Sequence, residues 1–180
     1  MFGAIRCVIF AMCLAGIALA DESAPARGAE LLVPFKQNLQ QALKSGLAKG
    51  PIEAIGACRL EAPKIAEQLS QDGVIVGRTS HRLRNPVNVS PDWVAPVLER
   101  YVESAGDRTP QLVDLPGDRV GYVEPIVTKA LCLTCHGETL APALASRIAD
   151  LYPEDRATGF REGDLRGVFW VEYPREITPP

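Results

Sequence analysis

The sequence predicts an α+β fold, a single domain in which helices come first and pack on a mostly C-terminal antiparallel sheet. Three observations predict it. Apolar residues recur with helical period early in the chain, runs rich in β-branched and aromatic residues come mostly later, and the length suits one core. That order favours an antiparallel sheet covered on one side over a doubly wound parallel sheet.

Each element has its own local warrant. Residues 30–49 form an amphipathic helix, with Leu31, Phe35, Leu39, Leu43 and Leu47 near one face and Gly50 as the stop. Residues 51–69 form the next, with Pro51 at the permissive first position. Its residues Ile55, Cys58, Ala62, Ile65 and Leu69 fall three and four apart, which turns Cys58 inward. Pro63 removes a backbone donor and should kink or divide this helix near Ala62, opening the backbone beside a bulky group. Gly73 to Gly77 is a short buried strand, and Asn85-Pro86 a turn. Ser90 as N-cap and Pro91 start a helix with Trp93, Val97 and Tyr101 along one face. Arg119 to Thr128 is strand-like, Lys129 to Gly137 a short helix, and Ala141 to Leu151 a further helix. Gly167 to Tyr173 is the clearest strand.

Residues 1–20 carry the marks of an export signal. Arg6 supplies the basic start, Cys7 to Leu19 the apolar stretch, and Ala18-Leu19-Ala20 a small-x-small cleavage site. Cys13 follows Met12 rather than a small residue, which argues against a lipid anchor. Cleavage after Ala20 is expected, then a flexible leader over 21–28, a domain over 29–180, and a frayed end at Pro179-Pro180. The apolar stretch is short for a bilayer span and no later segment approaches one, so the expected location is the periplasm. Of the 19 basic side chains, 18 remain once Arg6 leaves, against 22 acidic ones. That mild acidity argues against nucleic acid or an anionic membrane as partner.

Cys132-Leu133-Thr134-Cys135-His136 is a C-x-x-C-H run, which in an exported chain reads as covalent haem c attachment. Two thiols one helical turn apart can form thioethers to the two haem vinyl groups, while the next residue turns its imidazole onto the iron. Cys132 and Cys135 are the expected attachment residues of one haem c, and His136 the proximal ligand. A thiol-disulfide pair is the competing reading, but such pairs follow an early strand, and His136 would go unexplained. A zinc site lacks a second nearby ligand pair.

The ligand census then narrows the iron's sixth position. Both methionines, Met1 and Met12, leave with the signal, as do Cys7 and Cys13. His/Met ligation is therefore excluded, and Cys58, His81, a weaker Lys or Tyr donor, or water remain. Cys58 is the odd thiol, and its alternative role is a small buried hydrophobe. Arg78, Arg82 and Arg84 lie within seven residues. Arg78 and Arg84 are candidates to pair the haem propionates, the alternative being a solvated basic loop.

Several stretches together resemble a family of c-type haem domains with a PAS-like fold, much of it described as a domain of unknown function. They are Cys58 with Ala62-Pro63 and Ile65-Ala66, Gly77-Arg78-Thr79-Ser80, Arg84-Asn85-Pro86, Asn88, Trp93, the Cys132 to His136 motif and Gly159 to Gly167. Members are stand-alone exported cytochromes or extracytoplasmic sensing parts of signalling proteins. The resemblance implies His136 and Cys58 as axial ligands. The family usually has an apolar residue where this chain has His81, which ranks second. A thiolate ligand favours ferric iron, so a low potential is expected. Reduction would weaken the bond to sulfur and open a place for CO or NO. Redox or gas sensing and small-protein electron transfer both follow, with an unidentified redox or signalling partner; no substrate turnover is expected.

Overall fold

Helical periodicity early in the chain becomes α1, Ser23–Leu47, in a computed structural model that describes residues 23–104 and 106–176. The expected signal and the Pro179-Pro180 end lie outside the described residues. Leu32, Phe35 and Leu39 are buried, while Leu43 and Leu47 reach a cavity described below. From Ser23 onward the expected leader is instead the first turns of α1. The reason is long-range: Ala24 is buried and its carbonyl accepts the Tyr173 hydroxyl at 2.9 Å, while Arg27 stands 5.7 Å over the Tyr173 ring.

Pro63 does divide the second helix. It becomes α2, Pro51–Gly56, a single π-helical turn over Ala57–Glu61, and α3, Ala62–Leu69. In the turn, the Ala62 N–H donates to the Ala57 carbonyl five residues back. The next donor in that register would serve the Cys58 carbonyl, but that position is proline and has none. The helix widens where its ladder fails, a recognised cause of π-bulges and kinks.

The remaining elements are β1 Ile75–Thr79, a 3₁₀ turn Pro86–Asn88, α4 Ala95–Glu103, β2 Gln111–Leu115, β3 Arg119–Val127, α5 Ala130–His136, α6 Pro142–Leu151 and β4 Leu165–Pro174. The four strands form one antiparallel sheet in the order β1-β4-β3-β2, a single α+β domain of PAS-like arrangement. Strand β1 lies two residues later than expected. Helix α4 starts at Ala95 rather than after Ser90, because the Ser90 hydroxyl pairs with Thr79 Oγ1 at 3.1 Å instead of capping the helix. Strand β2, absent from the sequence reading, is held to β3 by a turn in which Gly117 and Asp118 take positive φ of 72° and 53°.

The sheet is covered on both faces, not one. Val76, Tyr122, Val171 and Tyr173 pack under α1 and α3, whereas Val123 and Val168 on the opposite face pack under α4. A third cluster, Ile55 with Leu144, Ile148 and Tyr152, joins α2 to α6. Beyond Val123, β3 has no β2 partner, so Pro125 costs no ladder bond on that side. A register shift at Ile126/Val127 then turns the strand end toward the cavity.

The two tryptophans, Trp93 ahead of α4 and Trp170 in β4, need small seats. A Cβ on Gly121 would stand 2.5 Å from the Trp93 ring, and one on Gly77 2.3 Å from the Trp170 ring. Gly56 lies in α2 with nothing within 4 Å of such a Cβ. Gly121→Ala should therefore destabilise the domain by about 1–3 kcal/mol through overpacking. Gly56→Ala should be neutral or stabilising by up to about 1 kcal/mol. Urea unfolding of the two variants beside the parent chain checks both signs.

Candidate functional site

Cys58, Arg78, Arg84, Cys132, Cys135 and His136 come from distant stretches of chain and line one cavity of about 430 Å³. Its walls are largely apolar, with Leu39 and Leu43 of α1, Ile55 of α2 and Phe169 of β4 among them. Among the described residues, no group of three or more His, Cys, Asp or Glu converges as a metal site of its own, and all three described cysteines are unpaired thiols. His81 does not line the cavity; it is exposed, its ring edge-on to Phe160 at 6.0 Å.

One wall is α5. Lys129 is extended at its N-cap and donates its N–H to Cys132 Sγ at 3.5 Å, which places Cys132 in the first turn and Cys135 one turn on. Burial pushes the Cys135 thiol up, against a partial lowering by Arg84. A reactive dithiol needs the opposite shift. His136 closes the helix, and its Nδ1 lies 2.7 Å from the Ala157 carbonyl. With the proton on Nδ1 donated there, Nε2 keeps its lone pair for another partner. Burial first, then Arg166 and Arg84, hold His136 far below its ordinary value, at about 2, so the imidazole stays neutral.

The Ala157 carbonyl is itself held. Arg84 Nη2 donates to it at 3.2 Å and to the Cys135 carbonyl at 2.7 Å. Asp155 fixes that guanidinium through both oxygens, at 3.2 and 3.1 Å, and also accepts the Ala157 N–H at 2.8 Å. Arg82 serves the same buried segment, donating to the Arg156 carbonyl at 3.2 Å and to the Thr158 carbonyl, with its guanidinium 4.3 Å over the Phe160 ring. Ala157 and Phe160 are buried backbone outside helix and strand, and such carbonyls require donors.

The facing wall is the π turn. Arg78 Nη2 donates to the Cys58 carbonyl at 3.3 Å, the carbonyl that Pro63 leaves without a helical donor. The arginine run is thus neither a solvated loop nor a bare propionate site. Arg78, Arg82 and Arg84 each satisfy backbone carbonyls, and they do so on both sides of the cavity.

The family model for Tll0287-like proteins matches residues 22–174. The chain belongs to the Tll0287-like family. The solved structure of the cyanobacterial haem protein Tll0287 is similar in fold, with a TM-score of 0.65 and 23% identity, covering 89% of this chain and 100% of that one. No curated protein matches.

In this Tll0287-like chain, sequence reasoning missed Arg166. It lines the cavity from the start of β4, where burial and then the nearby Arg78 and Arg84 lower it to about 10. The single signal was its place in the Gly159 to Gly167 stretch. Asp155 was likewise invisible, because only the folded chain brings it to Arg84.

Two outcomes follow for the haem-free Tll0287-like domain. Asp155→Ala strands the largely buried Arg84 and should cost about 3 kcal/mol or more, read as a lower urea midpoint at constant m-value. His136 is neutral when folded, whereas the unfolded chain takes up a proton below the ordinary 6.5, so stability falls as pH drops below that value. The slope should approach ~1.4 kcal/mol per pH unit, and His136→Gln should remove that contribution in unfolding series from pH 7 to 5.

Proposed function

We propose that this chain is a c-type haem protein with His136 and Cys58 as axial ligands and a low potential, acting in redox or gas sensing. One observation carries the reading: Cys58 on the π turn and the C-x-x-C-H residues on α5 meet on the same cavity despite their distance in sequence. The residues fit such a group. Cys132 and Cys135 would hold it covalently, the apolar walls suit a macrocycle, and Arg166 offers positive charge that no ion pair takes up among the described residues. Bound haem supplies an iron that takes up and returns one electron.

The chain's own residues shape that chemistry. His136 is kept neutral and its tautomer directed by the Ala157 carbonyl, so Nε2 is ready to ligate. Cys58 brings a negative sulfur, which favours ferric iron and lowers the potential relative to a His/Met pair. Its backbone is tied by one guanidinium in a turn where the helical ladder is already broken. That gives the sulfur room to leave on reduction, exposing a position for CO or NO. Haem c assembly outside the cytoplasm agrees with the export signal read at residues 1–20 and with a periplasmic location. No helix among the described residues is long and apolar enough to cross a membrane.

Small-protein electron transfer is the second reading. Leu131 and Val127 line the cavity and remain 44% and 37% exposed, an apolar rim that suits contact with a redox partner. Gas binding by the reduced form favours sensing, and fast self-exchange favours electron transfer.

The test is expression of the full chain in a host with haem c maturation, followed by a pyridine haemochrome assay and intact mass. One covalent haem is expected, and its absence overturns the proposal. In Cys58→Ala the ferric spectrum should change and the potential rise by on the order of 100 mV, inside the ~0.8 V that axial ligands span. An unchanged spectrum and potential would take Cys58 off the iron.

A further inference from the structure

Arg166 is a buried guanidinium that forms no ion pair among the described residues, with Cys58 and Asp155 acting on it only from nearby. Its guanidinium makes one long hydrogen bond, Nη1 to the Arg82 carbonyl at 3.4 Å, and stands 5.2 Å over the Phe160 ring. The cations acting on it are Arg78 and Arg84. Asp155, the acid nearest to hand, already serves Arg84 through both oxygens and the Ala157 N–H through one. The cavity therefore carries three guanidiniums against one carboxylate. An unpaired charge withdrawn from water is costly, and the cost is relieved by a buried anion with matching geometry.

The other two arginines are poorer candidates for that anion. Arg78 donates to the Cys58 carbonyl, and Arg84 is fixed by two carbonyls and Asp155. Arg166 is also held ready. Phe160 lies against both it and Arg82, and the same ring meets His136 edge-on with centroids 6.3 Å apart. A guanidinium held against a ring has fewer orientations open to it, which favours bidentate recognition of a carboxylate.

We propose that Arg166 is the carboxylate-binding residue of the cavity, pairing a propionate of the bound haem. This rests on the haem reading and assigns the propionate contact to Arg166 in place of Arg78 or Arg84. A guanidinium in contact favours the ionised carboxylate and holds its proton affinity down by a factor of ten to a thousand. The propionate then stays ionised across the working range, and the potential is insensitive to pH there.

The experiment uses haem-loaded parent protein, Arg166→Lys and Arg166→Gln. The propionate methylene proton shifts and the midpoint potential are followed from pH 4 to 8. In the parent, one of the two propionates should show no titration above about pH 4, while an unpaired carboxyl titrates near the ordinary Glu value of about 4.3. Arg166→Gln should raise the propionate's proton affinity tenfold or more, so that a titration step enters the window and the potential falls as pH rises through it. Arg166→Lys should retain most of the parent's flat profile. A parent in which both propionates titrate as ordinary carboxyls overturns the assignment, and needs no variant to fold. So does an Arg166→Gln protein whose titration is unchanged while its sulfur-to-iron absorption shifts, which would make Cys58 the partner. Failure of the parent to acquire covalent haem is a separate result, visible before any variant is made, and overturns the haem reading.

Discussion

Backbone carbonyls stranded outside regular structure are the constraint on which the cavity depends. Pro63 leaves the Cys58 carbonyl without a helical donor, and the buried 155–160 segment leaves three more. Where burial limits access to water, as at Ala157, such groups need a donor from elsewhere in the chain. Arg78, Arg82 and Arg84 are those donors. Because they leave β1 in quick succession, one short segment fixes the position of both Cys58 and His136. The geometry of the two candidate ligands is therefore not set by their own helices alone.

The same choice has an electrostatic consequence. Arginines that satisfy carbonyls keep their charge, and Asp155 neutralises only one of them. The cavity is left positive. A neutral imidazole and an incoming carboxylate are the species such an environment favours. His136 answers to the first description through its burial and the nearby Arg166 and Arg84. Arg166, beside Phe160, sits where it can answer the last.

Much of this was legible in the sequence where the cause is local. The spacing of Ile55, Cys58, Ala62 and Ile65 gave the inward face, Pro63 the break, and Cys132 to His136 the short helix that lines the cavity. What was missed depends on distant partners. The start of α1 is fixed by Tyr173, and Ser90 is diverted from capping by Thr79. Strand β2 escaped notice because it is an edge strand whose burial only alternates between half-buried and exposed. Arg78 and Arg84 were read as propionate contacts, and a sequence displays such charges without showing which carbonyls will lack donors. Arg166 stood out least, since its isolation from acids exists only in the folded chain.

The central claim is that Cys58 and His136 are held across one cavity as a ligand pair for a single iron. X-ray absorption at the iron edge of the ferric, haem-loaded protein tests it most directly. The account predicts one sulfur in the iron's coordination sphere beside its nitrogens, lost in Cys58→Ala. A coordination sphere of nitrogen and oxygen alone in the parent protein would contradict it.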